Sequence, residues 1–314
     1  MIKTAFLFPG QGSQSVGMMS ALADEFSQVE TTFEEASAVL GYDLWAMVVN
    51  GPAEELNKTE VTQPAMLVSG IATWRVWQEL GGAQPDFLAG HSLGEYSALV
   101  AAGVMPFSDA VAIVAERGRL MQQATPAGTG AMAAVLGLDD QALRDICNEV
   151  TGDEVVACAN FNAPGQVVIS GNKNAVETAG ELAKQAGARR VLPLPVSVPS
   201  HCLLMKPAAA KLQELLLNVH FSDSALPVIQ NADVRSYADA EQVREALARQ
   251  LWQPVRWTET IQSLLDSGVN RFVECGPGKI LAGLNRRITK QSTVFALIGR
   301  AAIEDAMQVE EDDE

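Results

Sequence analysis

The chain has 314 residues, 48% of them apolar and 19% charged, which at roughly 150 residues per domain suggests two domains with a sizeable core and excludes a disordered chain or a disulfide-stapled miniprotein. No stretch approaches the 18 or so uninterrupted apolar residues of a membrane span. The 22 basic residues against 38 acidic ones give −16, and because seven of those acids lie in the base-free segment from Ala301 onward, the remainder carries −9, a poor match for nucleic acid, whose binding needs a basic footprint.

Strand-like and helix-like stretches alternate from the start, the pattern of an α/β fold with a mostly parallel sheet. Residues 2–8 read as a buried strand ending in Pro9-Gly10, too short for a signal peptide and without a small-residue cleavage site. Helical patterns follow near 18–26 and 29–40, then over about 62–80, where Met66, Ile71, Trp74 and Trp77 recur at near-helical spacing. Phe87-Leu88-Ala89 reads as a short buried strand, followed by a turn and an apolar helix over 93–102, and 108–124 is again helical. From 125 to 197 the rhythm changes: strand 131–136, helix 139–150 with an acidic first turn that suits the helix dipole, strands 155–161 and 166–170 around a Pro-Gly turn, helix 174–185 and strand 189–194. That βαββαβ order is ferredoxin-like and predicts a small domain inserted into a larger one made of 1–124 and 198–314. The α/β pattern resumes with helix 203–217, strand 226–231, helices 238–251 and 257–267, strand 271–275, helix 278–288 and strand 293–298, and the acidic end, 308–314, reads as a frayed, disordered tail.

The sharpest chemical signal is Gly90-His91-Ser92-Leu93-Gly94, placed between a short strand and a helix, the setting in which G-x-S-x-G makes a nucleophile elbow. The glycines leave room for a sharp turn, the Ser92 hydroxyl stands above the strand end, and the Leu93 amide lies where an oxyanion would form. A serine nucleophile needs a base. Of the three histidines, His91 adjoins the serine and suits loop support, and His220 follows a helix and reads as a surface residue. His201, held after two prolines at a helix start, is the candidate base. Neighbouring Cys202 reads as a buried structural thiol, and all four cysteines (Cys147, Cys158, Cys202, Cys275), without a C-x-x-C pair, read as reduced thiols of a cytoplasmic protein.

Arg117 falls on the apolar stripe of its helix with Ala110, Ile113, Val114 and Met121, facing the interior. A buried guanidinium needs an anion, which is either an acidic side chain of the fold or a substrate carboxylate held in a bidentate clamp. Pro9-Gly10-Gln11-Gly12-Ser13-Gln14 follows the first strand, where open α/β sheets place their ligands. It lacks the spacing and lysine of a phosphate loop, and reads either as a close-approach loop offering backbone amides and Gln11 or as a plain strand–helix turn.

Together with Phe8 before the first loop, Thr62-Gln63-Pro64-Ala65, the elbow continued by Glu95, Arg117-Gly118, Asn160-Phe161-Asn162, Pro164-Gly165-Gln166, Val198-Pro199-Ser200-His201 and Gly276-Pro277-Gly278, these motifs resemble the malonyl-CoA:acyl carrier protein transacylase family over nearly the whole chain. The resemblance implies an α/β-hydrolase-like core with the inserted ferredoxin-like domain, and transfer of a malonyl group through a malonyl-serine to the phosphopantetheine thiol of acyl carrier protein in fatty acid synthesis. It implies Ser92 as nucleophile, His201 as base, a Gln250 carbonyl orienting that base, Arg117 on the malonyl carboxylate, and Gln11 with the Leu93 amide as oxyanion hole. Asn160, Asn162, Gln166, His91 and Gln63 would lie near the substrate. No bound cofactor or metal is implied, and malonyl-CoA is the substrate. An acidic carrier protein would need a basic patch, for which Arg189, Arg190, Arg286, Arg287 and Lys290 are the candidates, although a solvated face is the alternative reading. An esterase or thioesterase shares the elbow but usually runs Ser…Asp…His with a His-Gly-Gly loop, absent here. A non-catalytic scaffold would not be expected to keep Ser92, His201 and Arg117 together.

Overall fold

The structure, a computed structural model, describes residues 2–126, 128–196, 198–224 and 226–311. In chain order its elements are β1 (Thr4–Phe8), α1 (Ser20–Ala23), α2 (Ser27–Leu40), α3 (Leu44–Asn50), α4 (Ala53–Leu56), α5 (Thr59–Glu79), β2 (Phe87–Gly90), α6 (Gly94–Ala101) and α7 (Phe107–Ala124). The central part holds β3 (Gly130–Leu136), α8 (Asp140–Val150), β4 (Val156–Ala163), β5 (Gln166–Asn172), α9 (Lys173–Gln185) and β6 (Arg190–Pro193). After a 3₁₀ turn at Leu203–Met205 come α10 (Lys206–Leu216), β7 (Val228–Ile229), α11 (Ala240–Gln250), α12 (Trp257–Asp266), β8 (Arg271–Glu274), α13 (Ile280–Ile288), β9 (Thr293–Ala296) and α14 (Arg300–Glu311).

Two sheets organise these elements. The larger has the order β7-β2-β1-β8-β9, and every pairing in it is parallel. Parallel strands are covered on both faces, and β1 is buried at all five positions. Its alternation divides the core: Phe6 and Phe8 pack with the helices α5, α6, α7 and α10, while Ala5 and Leu7 pack with Trp257, Ile261 and Leu281 of α12 and α13. Phe6 meets the edges of Trp74 and Trp77 at 5.3 and 5.0 Å, the near-helical pair seen in the sequence. The smaller sheet, order β4-β5-β3-β6, is antiparallel throughout and has the expected βαββαβ connectivity. Its one face buries Val135, Phe161 and Ile169 against α8 and α9; Met132, Ala159 and Val168 occupy the other. Asp139 caps α8 by accepting from the amides of Gln141 and Ala142.

Three features depart from the expected elements. Helices α3 and α4 fill the segment between the second and third expected helices. The strand expected over 226–231 pairs only at Val228–Ile229, because the chain folds back and the Gln230 amide bonds the Arg235 carbonyl. The acidic end is helical as far as Glu311, anchored by fully buried Ile303 and Ala306; 312–314 lie outside the described residues. Among the described residues no helix is long and apolar enough to cross a membrane.

Candidate active site

The parallel sheet runs from β1 to β2 and β7 on one side and to β8 and β9 on the other. The crevice at such a reversal, beyond the carboxyl ends of the strands, is where open α/β sheets hold ligands. The loop after β1 and the elbow after β2 meet there. The elbow is pressed onto the end of β1: His91 N–H donates to Phe8 O at 2.9 Å, and a Cβ on Gly94 would sit 2.0 Å from that same oxygen. A Cβ on Gly90 would lie 1.9 Å from the Gly94 carbonyl group. Both positions therefore admit only glycine. Ser92 between them is left-handed, φ 52°. A non-glycine residue in that region costs of order 1–3 kcal/mol, and here the close packing on either side holds it.

The Ser92 Oγ lies 2.8 Å from His201 Nε2. On the far side of the ring, His201 Nδ1 faces two backbone carbonyls, Gln250 O at 2.7 Å and Gln253 O at 3.2 Å. Two acceptors there require the proton on Nδ1, so Nε2 is the free base facing the hydroxyl. Among the described residues no carboxylate stands behind the imidazole; backbone dipoles do. His201 is itself left-handed, φ 61°, its amide tied to Leu251 O. Burial, reinforced by the charge of Arg117, lowers its pKa to about 3. The ring is thus neutral at any ordinary pH.

Arg117, on α7, is 1% exposed. Its Nη1 donates to Gln63 Oε1 at 2.7 Å, its Nη2 to Gln250 Oε1 at 3.0 Å and, at 3.4 Å, to Ser92 Oγ, while the guanidinium lies 5.6 Å from the Tyr96 ring centre. It has no carboxylate ion pair among the described residues. The choice left open by the sequence thus falls against an acidic partner in direct contact. Gln250 joins all three groups: its carbonyl holds His201, its side chain accepts from Arg117, and its Nε2 donates to Ser92 O at 2.8 Å.

The cleft over Ser92 has a volume of about 110 Å³ and is lined by Gln11, Gln63, His91, Leu93, Arg117 and Asn160, with an apolar wall of Met121, Met132, Leu194, Val196 and Val198. The Leu93 amide makes no hydrogen bond among the described residues. The His91 Nε2 lies 2.8 Å from Asn162 Oδ1 and its ring packs on Trp257, so it joins the elbow to β4. Asn160 pairs with Val255 in an isolated bridge, a second link between β4 and the rest of the fold. Gln166 is not brought to the cleft: its Oε1 accepts from exposed Arg287 at 2.6 Å. Arg189, Arg190, Arg286 and Lys290 are exposed as well. His220 is exposed and Cys202 is buried with its thiol on Pro199 O, both as expected.

Two residues of the site were given no role by the sequence reading. Asn231 is fully buried and bonds both the Ser92 amide and the Gly90 carbonyl, each at 2.6 Å. Glu95, fully buried on α6, accepts from the Asn231 amide at 2.7 Å, and burial raises its pKa to about 8. For Glu95 the sequence offered its place at the end of the elbow motif, an acid in the first turn of an apolar helix; for Asn231 it offered none.

A hydroxyl sharing its proton with an oriented neutral imidazole, beside a free amide and an unpaired cation, can accept an acyl group that carries an anion. Comparison with known proteins agrees. The model of the acyl transferase domain matches residues 5–310. The malonyl-CoA–acyl carrier protein transacylase of Salmonella typhimurium is 55% identical over 98% of this chain and 99% of its own; that of Bacillus subtilis is 47% identical over 98% and 97%. An acyl carrier protein S-malonyltransferase from Vibrio cholerae superposes with a TM-score of 0.95 at 55% identity, covering 97% of this chain and 99% of its own. A malonyl-transacylase solved with its holo type II polyketide acyl carrier protein superposes with a TM-score of 0.97 at 53% identity, covering 98% and 99%. The chain is an acyltransferase and belongs to the malonyl-CoA–acyl carrier protein transacylase family.

Proposed function

We propose that this chain moves a malonyl group from malonyl-CoA to the phosphopantetheine thiol of acyl carrier protein, by way of an ester on Ser92, and so supplies the extender unit of fatty acid synthesis. The observation that carries the reading is Arg117, a buried cation with no ion pair among the described residues, whose Nη2 lies 3.4 Å from the Ser92 hydroxyl. An acyl group with a carboxylate one methylene from its carbonyl would place the anion on the guanidinium while the carbonyl carbon stands over Oγ. An acetyl group would leave the cation unanswered, and a site built to bind a polar group rejects a substrate lacking it.

In the first half-reaction Ser92 Oγ attacks the thioester carbon and its proton passes to His201 Nε2. The carbonyl oxygen becomes an oxyanion facing the Leu93 amide and Gln11. The C–S bond then breaks, and His201 returns the proton to the CoA sulfur. In the second, His201 takes the proton of the pantetheine thiol, sulfur attacks the ester carbon, and Ser92 Oγ leaves with the proton restored. The methionine and valine wall keeps water from the ester between the two steps. Carrier-protein docking is assigned to Arg189, Arg190, Arg286, Arg287 and Lys290. In support, the Arg189 side chain lies against Gly137, whose amide bonds Gly165 O, and Gln166 beyond that turn accepts from Arg287, so two cations border one turn. Four free buried cysteines support a reducing, cytoplasmic location.

The test is the intact mass of the protein after exposure to malonyl-CoA, in parallel with Ser92→Ala. An adduct of one malonyl group that requires Ser92 and is discharged by holo acyl carrier protein is expected. Continuous CoA release without an adduct would identify a hydrolase instead.

A further inference from the structure

The edge of β2 that faces β7 has a gap. In the parallel ladder Leu88 and Ala89 pair with Val228 and Ile229, and β7 then stops. Gly90 O and Ser92 N–H, two residues apart, are the groups the next rung of such a ladder would bond. Among the described residues no strand reaches them. The Asn231 side chain does, with Nδ2 donating to Gly90 O and Oδ1 accepting from Ser92 N–H, both at 2.6 Å. Its own backbone is held in turn: Glu95 Oε2 accepts from its amide, and Arg256 N–H donates to its carbonyl at 3.3 Å.

We propose that Asn231 is a positioning residue that replaces the missing rung of the sheet with a side-chain amide, so that Ser92 can leave the extended conformation and its own N–H is held away from the cleft. The Leu93 N–H is then the one elbow amide left for the substrate carbonyl. A primary amide both donates and accepts at this spacing and stays uncharged at every pH. The inference rests on the assignment of Ser92 as the acylated residue. It extends that reading to a residue that touches no substrate.

A fluorophosphonate reports on the elbow independently of the acyl donor. Ser92 Oγ attacks phosphorus, fluoride leaves, and the hydroxyl proton goes to His201. In Asn231→Ala both bonds are lost; labelling and kcat should each fall by about 30- to 100-fold, with the KM for malonyl-CoA within about twofold. Asn231→Asp keeps the side-chain volume and gives the decisive profile. The introduced carboxyl can accept from Ser92 N–H in either form but can donate to Gly90 O only when protonated. Glu95 on α6, with Arg117 on α7, Asp233 on the same loop and Arg256 beyond it, surrounds that position. Its labelling should therefore rise several-fold more than the parent's between about pH 8 and about pH 6, a range over which His201 stays neutral and Glu95 titrates in both proteins. Parent-like labelling in Asn231→Ala, or an Asn231→Asp profile parallel to the parent's, would overturn the proposal. A parent that labels at Ser92 yet transfers no malonyl would sink the acyl-donor assignment while these comparisons still decide the role of Asn231.

Discussion

At the ends of β1 and β2 the backbone does the chemical work: a left-handed serine, a free amide and two glycines pressed against neighbouring carbonyls. Across the cleft, the antiparallel sheet contributes side chains from one face, Met132 and Asn160, and keeps its own core on the other. Backbone geometry this compressed has one solution, whereas a wall of side chains has many. Changes on the parallel side should therefore be close to all-or-none and changes on the antiparallel side graded.

The largest effect should come from Gly94→Ala. The added methyl has no space against Phe8 O, so a destabilisation above about 3 kcal/mol together with loss of transfer is expected, read by denaturant unfolding and by activity. Arg117→Ala comes next. Its kcat/KM for malonyl-CoA should fall by about 100-fold or more and its preference over acetyl-CoA should collapse, measured by competing the two donors; an unchanged preference would remove the clamp from the mechanism.

The pH dependence has a definite sign. His201 and His91 both have pKa values lowered by burial. The unfolded chain takes up their protons first, so the stability they contribute is present above about pH 6.5 and is lost as pH falls toward 3. His201→Gln should flatten the acid arm of a plot of urea midpoint against pH. The activity of the parent should hold as pH falls through 6.5, the ordinary histidine value. An activity midpoint there would contradict the buried neutral base.

On the antiparallel side, Met132→Ala should slow transfer by less than about tenfold and raise the ratio of hydrolysis to transfer, because the wall becomes leaky rather than misaligned. The smallest effect belongs to Arg287→Glu: a rise of a few-fold in the carrier-protein KM at low salt that vanishes at high salt.

The same contrast explains what could be read in advance. The elbow is local, five residues between a strand and a helix, and Arg117 announces itself by breaking an apolar helical stripe. Asn231 is 139 residues from the amide it bonds. Its partner is set by which strand lies beside β2 and by where that strand stops, neither of which is written in spacing. The apolar run around it reads simply as strand. Helix α3 was legible in principle, since Asp43 caps it by accepting from Ala46 N–H and Gly51 ends it, but its short apolar run carries no clear period. At the other end of the chain, acidic composition masked the Ile303 and Ala306 pair that anchors α14.

Arg117 has one more consequence, a thermodynamic one. In the free protein its charge is answered by amide, hydroxyl and ring dipoles, and the buried acid that acts on it, Glu95, has a pKa of about 8 and so is largely protonated at neutral pH. The folded state is then better satisfied with a small dianion in the cleft than without one. By mass action, an anion at a hundred times its Kd adds about 2.7 kcal/mol to folding stability. Malonate alone, with no thioester to react, becomes a folding ligand, and the melting temperature of the protein becomes a gauge of how well any acid fits the site.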